Sequence, residues 1–322
     1  VSVNPKPTAN AGANQTICAG SSATLTGTGS GGTAPYTYAW TGGTTGSSTV
    51  VSPGATTTYT LTVTDSKGCS GTSQVVVSVN PQPTANAGVN QTICAGSSAT
   101  LTGIGSGGTT PYIYAWTGGT AGSSTVVSPG TTTTYTLTVT DSEGCSGTSQ
   151  VVVSVNPKPT ANAGVNQTIC AGSSATLTGT GSGGTTSYTY AWTSGASSSS
   201  TVVSPGTTTT YTLTVTDNKG CSSTSQVVVS VNPQPTANAG VNQTVCAGSS
   251  ATLTGTGSGG TAPYTYAWTG GTTGSSTVVS PGATTTYTLT VTDNKGCSGT
   301  SQVVVSVNPK PTANAGANQT IC

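Results

Sequence analysis

Thr58-Tyr59-Thr60-Leu61-Thr62-Val63-Thr64 alternates without a break, with Tyr59, Leu61 and Val63 on one side and four threonines on the other. A period of two is the signature of an extended strand, because successive side chains leave the backbone on opposite faces. Thr and Val, branched at Cβ, favour that conformation as well. Moving outward, Tyr36, Tyr38 and Trp40 share a face in the same manner, Gln74 to Val79 is a β-branched run, and Ala23 with Leu25 marks a shorter strand. Turn-forming residues separate these runs at Ala19-Gly20, Gly29 to Thr33, Thr41-Gly42-Gly43, Pro53-Gly54 and Asp65-Ser66-Lys67-Gly68. No stretch reads as helical. Six or seven short strands, roughly ten residues apart, predict an all-β fold, a β-sandwich.

The same pattern recurs. Val-Ser-Val-Asn-Pro begins at Val1, Val77, Val153, Val229 and Val305, a period of 76 residues, and Val305 to Cys322 repeats Val1 to Cys18 letter for letter. That period is too long for a solenoid coil and suits one small domain. Four complete sandwiches are expected at 5–80, 81–156, 157–232 and 233–308. Residues 1–4 then read as the end of a preceding repeat's last strand, and 309–322 as the first strand of a further repeat. A frame that opens inside a repeated segment, in a chain without Met, points to a window on something longer. Between repeats stands Asn80-Pro81-Gln82-Pro83 or its equivalent, and two prolines one residue apart make a short, stiff connector. Strands of about ten residues at ~3.3 Å each would give a filament advancing roughly 30–40 Å per repeat.

Composition narrows the function. Charged residues are 3% of the chain, against roughly 25% in ordinary domains. A net charge of +1 offers a phosphate backbone no basic patch, so no nucleic-acid partner is expected. So little charge also leaves little repulsion between neighbours, which favours lateral bundling. No stretch reaches the ~20 apolar residues of a membrane span. His is absent and no C-x-x-C pair occurs, so zinc and redox motifs find no support. One carboxylate per repeat (Asp65, Asp141, Asp217, Asp293), with Glu143 added in the second, is too few for a calcium site or for acid–base catalysis. These aspartates read as turn residues bonding their own backbone. Lys67, the candidate for an internal Lys–Asn cross-link, becomes Glu143 in the second copy. No catalytic residue, metal or cofactor is therefore expected, and the chain does not read as an enzyme. Trp40, Trp116, Trp192 and Trp268, with Tyr59, Tyr135, Tyr211 and Tyr287, read as core aromatics, the alternative being a sugar-stacking platform. The threonine ladder 58, 60, 62, 64 could face ice, but threonine is also an ordinary exposed strand residue. Asn14, Asn90, Asn166, Asn242 and Asn318 each open an N-x-Thr sequon.

Cysteines come two to a repeat: Cys18 and Cys69, Cys94 and Cys145, Cys170 and Cys221, Cys246 and Cys297, with Cys322 opening a further set. In small domains with modest cores they read as structural disulfides from an oxidising compartment, buried free thiols being the plainer alternative.

Three segments carry a family resemblance: Ala9-Asn10-Ala11-Gly12 through Gln15-Thr16-Ile17-Cys18-Ala19-Gly20-Ser21, then Gly32-Thr33-Ala34-Pro35-Tyr36-Thr37-Tyr38-Ala39-Trp40, then Tyr59-Thr60-Leu61-Thr62-Val63-Thr64-Asp65 with Gly68-Cys69. Together, in every full copy, they resemble the PKD-like, immunoglobulin-like tandem repeats of giant surface adhesins from Bacteroidetes-type bacteria. Trp40 is followed by Thr-Gly-Gly rather than by the Asp-Phe-Gly-Asp-Gly of true PKD domains. The resemblance implies a tandem array of four immunoglobulin-like sandwiches of about seven short strands, export, display at the cell surface and no catalytic residues.

Immunoglobulin-like topology also bears on the disulfides. The default pairing lies within a repeat: Cys18–Cys69, Cys94–Cys145, Cys170–Cys221 and Cys246–Cys297. In such a sandwich, however, Cys18 falls near the C-terminal pole and Cys69, after the last hairpin turn, near the N-terminal pole. A strand length of about 25–30 Å then separates them, whereas a disulfide needs Cα atoms within ~7 Å. Stacking repeats end to end brings opposite poles together, which favours Cys18–Cys145, Cys94–Cys221 and Cys170–Cys297 and leaves Cys69, Cys246 and Cys322 to repeats beyond this stretch. The leading functional reading is a structural extracellular fibre or stalk of disulfide-stabilised beads, part of a giant adhesin or filament. Its partners would be further copies of the repeat. The alternative is a multivalent array binding surface glycans, and an ice-binding surface ranks last.

Overall fold

The first repeat folds into β1 (Thr8–Asn10), β2 (Gln15–Cys18), β3 (Ala23–Thr26), β4 (Thr28–Ser30), β5 (Thr37–Trp40), β6 (Ser48–Val51), β7 (Thr57–Thr64) and β8 (Ser70–Asn80). The structure is a computed structural model that describes residues 2–118 and 121–319. The same order recurs over 84–156, 159–232 and 235–308, and no helix occurs among the described residues. Each repeat is an immunoglobulin-like β-sandwich. One sheet is β2-β8-β7-β5, and the other is made by the pairs β1-β4 and β3-β6. β3 and β4 are one strand interrupted at Gly27, whose N–H donates to the Ser47 carbonyl at 2.7 Å, so eight segments make seven strands. Glycine is required there by contact: a Cβ would lie 2.3 Å from Leu61 Cδ2 and 3.0 Å from Trp40 Cζ2.

The alternation that decides the fold is realised in the register. Leu61 and Val63 on β7, Val75 and Val77 on β8 and Leu25 on β3 have no exposed surface, while Thr58 of β7 faces outward. Trp40 lies across this core at 3% exposure and satisfies its indole by donating from Nε1 to the Gly46 carbonyl at 3.1 Å. Trp116, Trp192 and Trp268 are buried in the same way. Of the tyrosines expected in the core, Tyr135 is buried and Tyr59, Tyr211 and Tyr287 are partly buried against it. Each repeat has its own closed cluster of this kind.

The chain divides into two units, Val1–Asn156 and Pro157–Cys322, each holding two sandwiches. Residues 309–319 repeat the sequence of 5–15 but are exposed and carry no strand, and residues 2–4 carry none either. In every complete repeat the segment matching 309–322 becomes β1 and β2 only by pairing with β4 and β8, which follow it in the chain. Residues 320–322 lie outside the described residues.

One repeat departs from the others where β8 passes the linker. A Cβ on Gly71, Gly147 or Gly299 would meet the carbonyl oxygen of Pro7, Pro83 or Pro235 at 2.1 Å. The third repeat has Ser223 at this place, and its Oγ is buried without a hydrogen-bond partner. A buried hydroxyl left unpaired costs about 1–3 kcal/mol, and the backbone entropy lost with glycine in a strand is about 0.5–1 kcal/mol. Ser223→Gly should therefore raise the stability of the third sandwich by about 1 kcal/mol, and Gly71→Ser should lower that of the first. Calorimetry with hydrogen exchange followed along Ser222–Asn232 checks this; an unchanged or faster exchange there contradicts it.

Trp40→Ala should cost about 3–5 kcal/mol, enough to unfold the first sandwich while the other three stay folded. Hydrogen exchange resolved by repeat reads this directly, because protection should vanish in β1 to β8 while the strands of the other three repeats keep theirs.

Candidate functional site

Each sandwich presents one cysteine at each end, and the strand pairing explains why. β2 runs parallel to the last part of β8, in the register Gln15↔Val77, Thr16↔Ser78, Ile17↔Val79 and Cys18↔Asn80. Just before that ladder starts, Asn14 Oδ1 accepts the Val76 N–H at 2.9 Å, so the first residue of the sequon extends the pairing by one hydrogen bond. Asn90, Asn166 and Asn242 do the same for Val152, Val228 and Val304, and Thr320 of the fifth sequon lies outside the described residues. Beyond the ladder the Ala19 N–H donates to the Asn80 carbonyl at 2.8 Å. Cys18 is thereby fixed at the pole where β8 ends and the linker leaves.

The opposite pole is organised by an aspartate. Asp65 Oδ1 accepts the N–H groups of Lys67 and Cys69, both at 2.9 Å, and its Oδ2 accepts that of Thr33 at 3.0 Å. The carboxylate closes the β7–β8 turn and ties it to the loop before β5. Asp141 holds Glu143, Cys145 and Thr109 in the same way, and Asp217 and Asp293 repeat the arrangement. The turn role was legible in the sequence; the reach across to Thr33 was not.

Where two sandwiches meet within a unit, these poles are bonded. Cys18 is joined to Cys145 with Cα atoms 5.6 Å apart, and Cys170 to Cys297 with Cα atoms 5.5 Å apart. Cys94 and Cys221 are disulfide-bonded as well. The within-repeat pairs Cys18–Cys69, Cys94–Cys145, Cys170–Cys221 and Cys246–Cys297 are not formed: Cys18, Cys145, Cys170 and Cys297 are all committed between repeats, and Cys69 and Cys246 are free thiols. The obstacle is length, since Cys69 and Asn80 stand at opposite ends of β8, an 11-residue strand spanning roughly 36 Å. Cys322 lies outside the described residues. Beside the first staple, Asn80 Nδ2 donates to Glu143 Oε2 at 3.3 Å. The peptide connection consists of Pro81, Gln82 and Pro83 alone, since β8 ends at Asn80 and the next strand starts at Thr84. Two covalent links at one joint, one of them stiffened by two prolines, remove the swivel that a single linker leaves.

The remaining chemistry is sparse. Among the described residues no group of three His, Cys, Asp or Glu side chains could hold a metal, and no pocket is formed. The tryptophans face inward, leaving no indole plane for a sugar. No helix is long and apolar enough to cross a membrane. Burial works to raise the carboxyl pKa of Asp65 and Asp293. The three backbone N–H donors and the neighbouring lysine more than reverse it, holding both groups below the ordinary carboxylate value. For Asp217 the Thr185 N–H is the strongest influence and burial opposes it, with the same outcome.

A carboxyl depressed in the folded state stabilises the fold above its unfolded pKa, near 4, and loses that contribution as pH falls through the folded value. Thermal stability should therefore be level from about pH 5 to 8 and fall below about pH 4. Asp217→Asn should start lower at neutral pH and fall less in acid. Melting curves over pH 2–8 test this; a variant with an undiminished acid slope would count against the aspartate turn as its source.

No family model and no curated protein sequence matches the chain. Solved structures do resemble it in fold. An eight-domain immunoglobulin fragment of Down syndrome cell adhesion molecule is 15% identical, with a TM-score of 0.42, over 95% of this chain and 49% of that one. The chain thus spans about half the length of that fragment. The I67–I69 I-band fragment of titin is 14% identical, with a TM-score of 0.34, over 70% of this chain and 98% of the fragment. Hemolin, an insect immune protein, is 12% identical, with a TM-score of 0.28, over 94% of this chain and all of its own. At these identities the likeness is one of fold.

Proposed function

We propose that this chain is a structural segment of an extracellular fibre or stalk, in which immunoglobulin-like beads are fastened end to end and the array serves as a stiff spacer in a bacterial surface adhesin or filament. The observation that carries the reading is the disulfide between successive sandwiches, Cys18–Cys145 and Cys170–Cys297, where one within each sandwich would have been the default. A bond inside a bead stabilises that bead; a bond between beads fixes their relative orientation. The same staple is proposed for Cys94–Cys221, and with it domain boundaries at 5–80, 81–156, 157–232 and 233–308. Disulfides of this kind belong to an oxidising, extracellular setting. No observation favours the glycan-binding alternative.

In solution the oxidised chain should be a rod of roughly 120–160 Å, four repeats of about 30–40 Å. Reduction should leave the strand signal in circular dichroism intact and broaden the distance distribution seen by small-angle scattering, because the linkers alone then hold the beads. A compact oxidised particle, or a scattering profile indifferent to reduction, would overturn the stiff-spacer reading.

A further inference from the structure

Two covalent segments cross the second sandwich from pole to pole. One is the strand Ser146–Asn156, which follows the stapled Cys145 and runs into the linker at Pro157. The other leaves the preceding linker at Pro83 and ends at Cys94, itself disulfide-bonded. They start together and finish together: a Cβ on Gly147 would lie 2.1 Å from the Pro83 carbonyl oxygen, and Cys94 stands in register with Asn156. Cys94 is eleven residues beyond Pro83, and Asn156 is nine beyond Gly147. Nine residues of strand span roughly 30 Å, and eleven at full stretch reach about 40 Å. Both segments are close to taut, with slack of about 10 Å in the longer.

The two segments are also tied to each other along their length. The Ala87 N–H donates to Ser149 Oγ at 3.2 Å, the Val152 N–H to Asn90 Oδ1 at 2.9 Å and the Ala95 N–H to the Asn156 carbonyl at 2.8 Å. The parallel ladder from Gln91 to Cys94 lies between the last two ties. In the third sandwich Ala163 and Ser225, Asn166 and Val228, and Ala171 and Asn232 make the same ties. What remains of each sandwich, 95–144 or 171–220, hangs from its pair of segments as a loop.

We propose that these segments are tension cables, and that the chain works as a mechanical tether whose length is capped by its disulfides. The inference rests on the stapled-spacer reading and adds a resistance to stretching, which stiffness against bending does not supply. One cable follows residues 1–18, crosses Cys18–Cys145, follows 145–170, crosses Cys170–Cys297 and leaves through 297–322. Each crossing bypasses a separation of 127 residues. The proposed Cys94–Cys221 staple gives the second and third sandwiches another cable beside the first, along 81–94 and then 221–232. Parallel pairing loads both from the same pole. Pulling favours the unfolded state only by the force times the length gained. A nearly taut cable has little to gain, so the sandwiches stay folded under load, and one that opens lengthens the tether by about 10 Å. With the disulfides reduced, the same opening frees a 76-residue repeat and adds more than about 200 Å.

The experiment pulls the full chain, its free thiols blocked with iodoacetamide, between handles at its two ends in an optical trap. Peptide mapping first establishes the Cys18–Cys145 and Cys170–Cys297 bonds. The oxidised chain should reach a contour length of no more than about 250 Å, in steps of about 10 Å or none. After reduction the same chain should lengthen about fourfold, to roughly 1,100 Å, as its four sandwiches open in turn. That comparison needs no variant. Cys18→Ser with Cys145→Ser should extend the oxidised limit by roughly 340–450 Å, because the load must then travel a loop. Cys94→Ser with Cys221→Ser should leave the limit unchanged, because the first cable is intact. Steps beyond about 20 Å in a chain whose mapped bonds are whole would overturn the tether, as would a Cys94/Cys221 variant that outreaches the unaltered chain. Either result leaves the stiff-spacer reading standing. Absence of both bonds on mapping would sink the spacer and the tether together.

Discussion

Because Gln15 to Cys18 run parallel to Val77 to Asn80, the second strand of each sandwich ends at the same pole as the last one. Everything about the joint depends on that pairing. An antiparallel partner would have carried Cys18 toward the turn that holds Cys69, and a bond within the repeat would then have been within reach. The parallel ladder instead sets the two cysteines a strand length apart and aims each at a neighbour. Asn14, whose amide oxygen adds one bond to the start of the ladder, and Ala19, whose N–H adds one at its end, keep four residues of pairing from being a weak feature.

Charge contributes little to this architecture, and the buried charge of each repeat is its turn aspartate. Asp65 and its equivalents lie almost wholly buried, yet each is surrounded by backbone N–H donors from two separate loops. This is how an anion is held in a sparsely charged protein: by oriented peptide dipoles with little help from a counter-charge. The cysteine backbone is one of those donors, so the carboxylate that closes the turn also fixes the place from which the thiol reaches outward.

Much of the fold could be read from the residues. The alternation of Tyr59, Leu61 and Val63, the aromatic run ending at Trp40 and the β-branched run before Asn80 became β7, β5 and β8, because each has enough apolar positions at a period of two to announce a buried face. Ser48–Val51 and Thr28–Ser30 had no such pattern; they are strands because Ala23–Thr26 and Thr8–Asn10 supply hydrogen-bonding partners, which a local reading does not see. The bond from Thr33 to Asp65 spans 32 residues, and that from Asn14 to Val76 spans 62. Neither leaves a mark on either sequence neighbourhood. The sequon pattern drew attention to Asn14 for a reason unrelated to the hydrogen bond it makes. Near-identity of the copies hides such residues too, since a position that never varies among repeats gives no sign of which partner constrains it.

The 127-residue interval between bonded cysteines has a consequence for how such a chain is made. Cys18 emerges near the start of its own repeat, but its partner belongs to the last hairpin of the following one. During vectorial synthesis or export the first sandwich must therefore finish, wait with one thiol open, and be sealed only after its successor has laid down nearly its whole length. The joint closes one repeat behind the growing end. A successor whose last hairpin has not formed offers no properly placed thiol, so each bead is fastened only to a neighbour already close to its native form, and the order of the copies is written into the order of their closure.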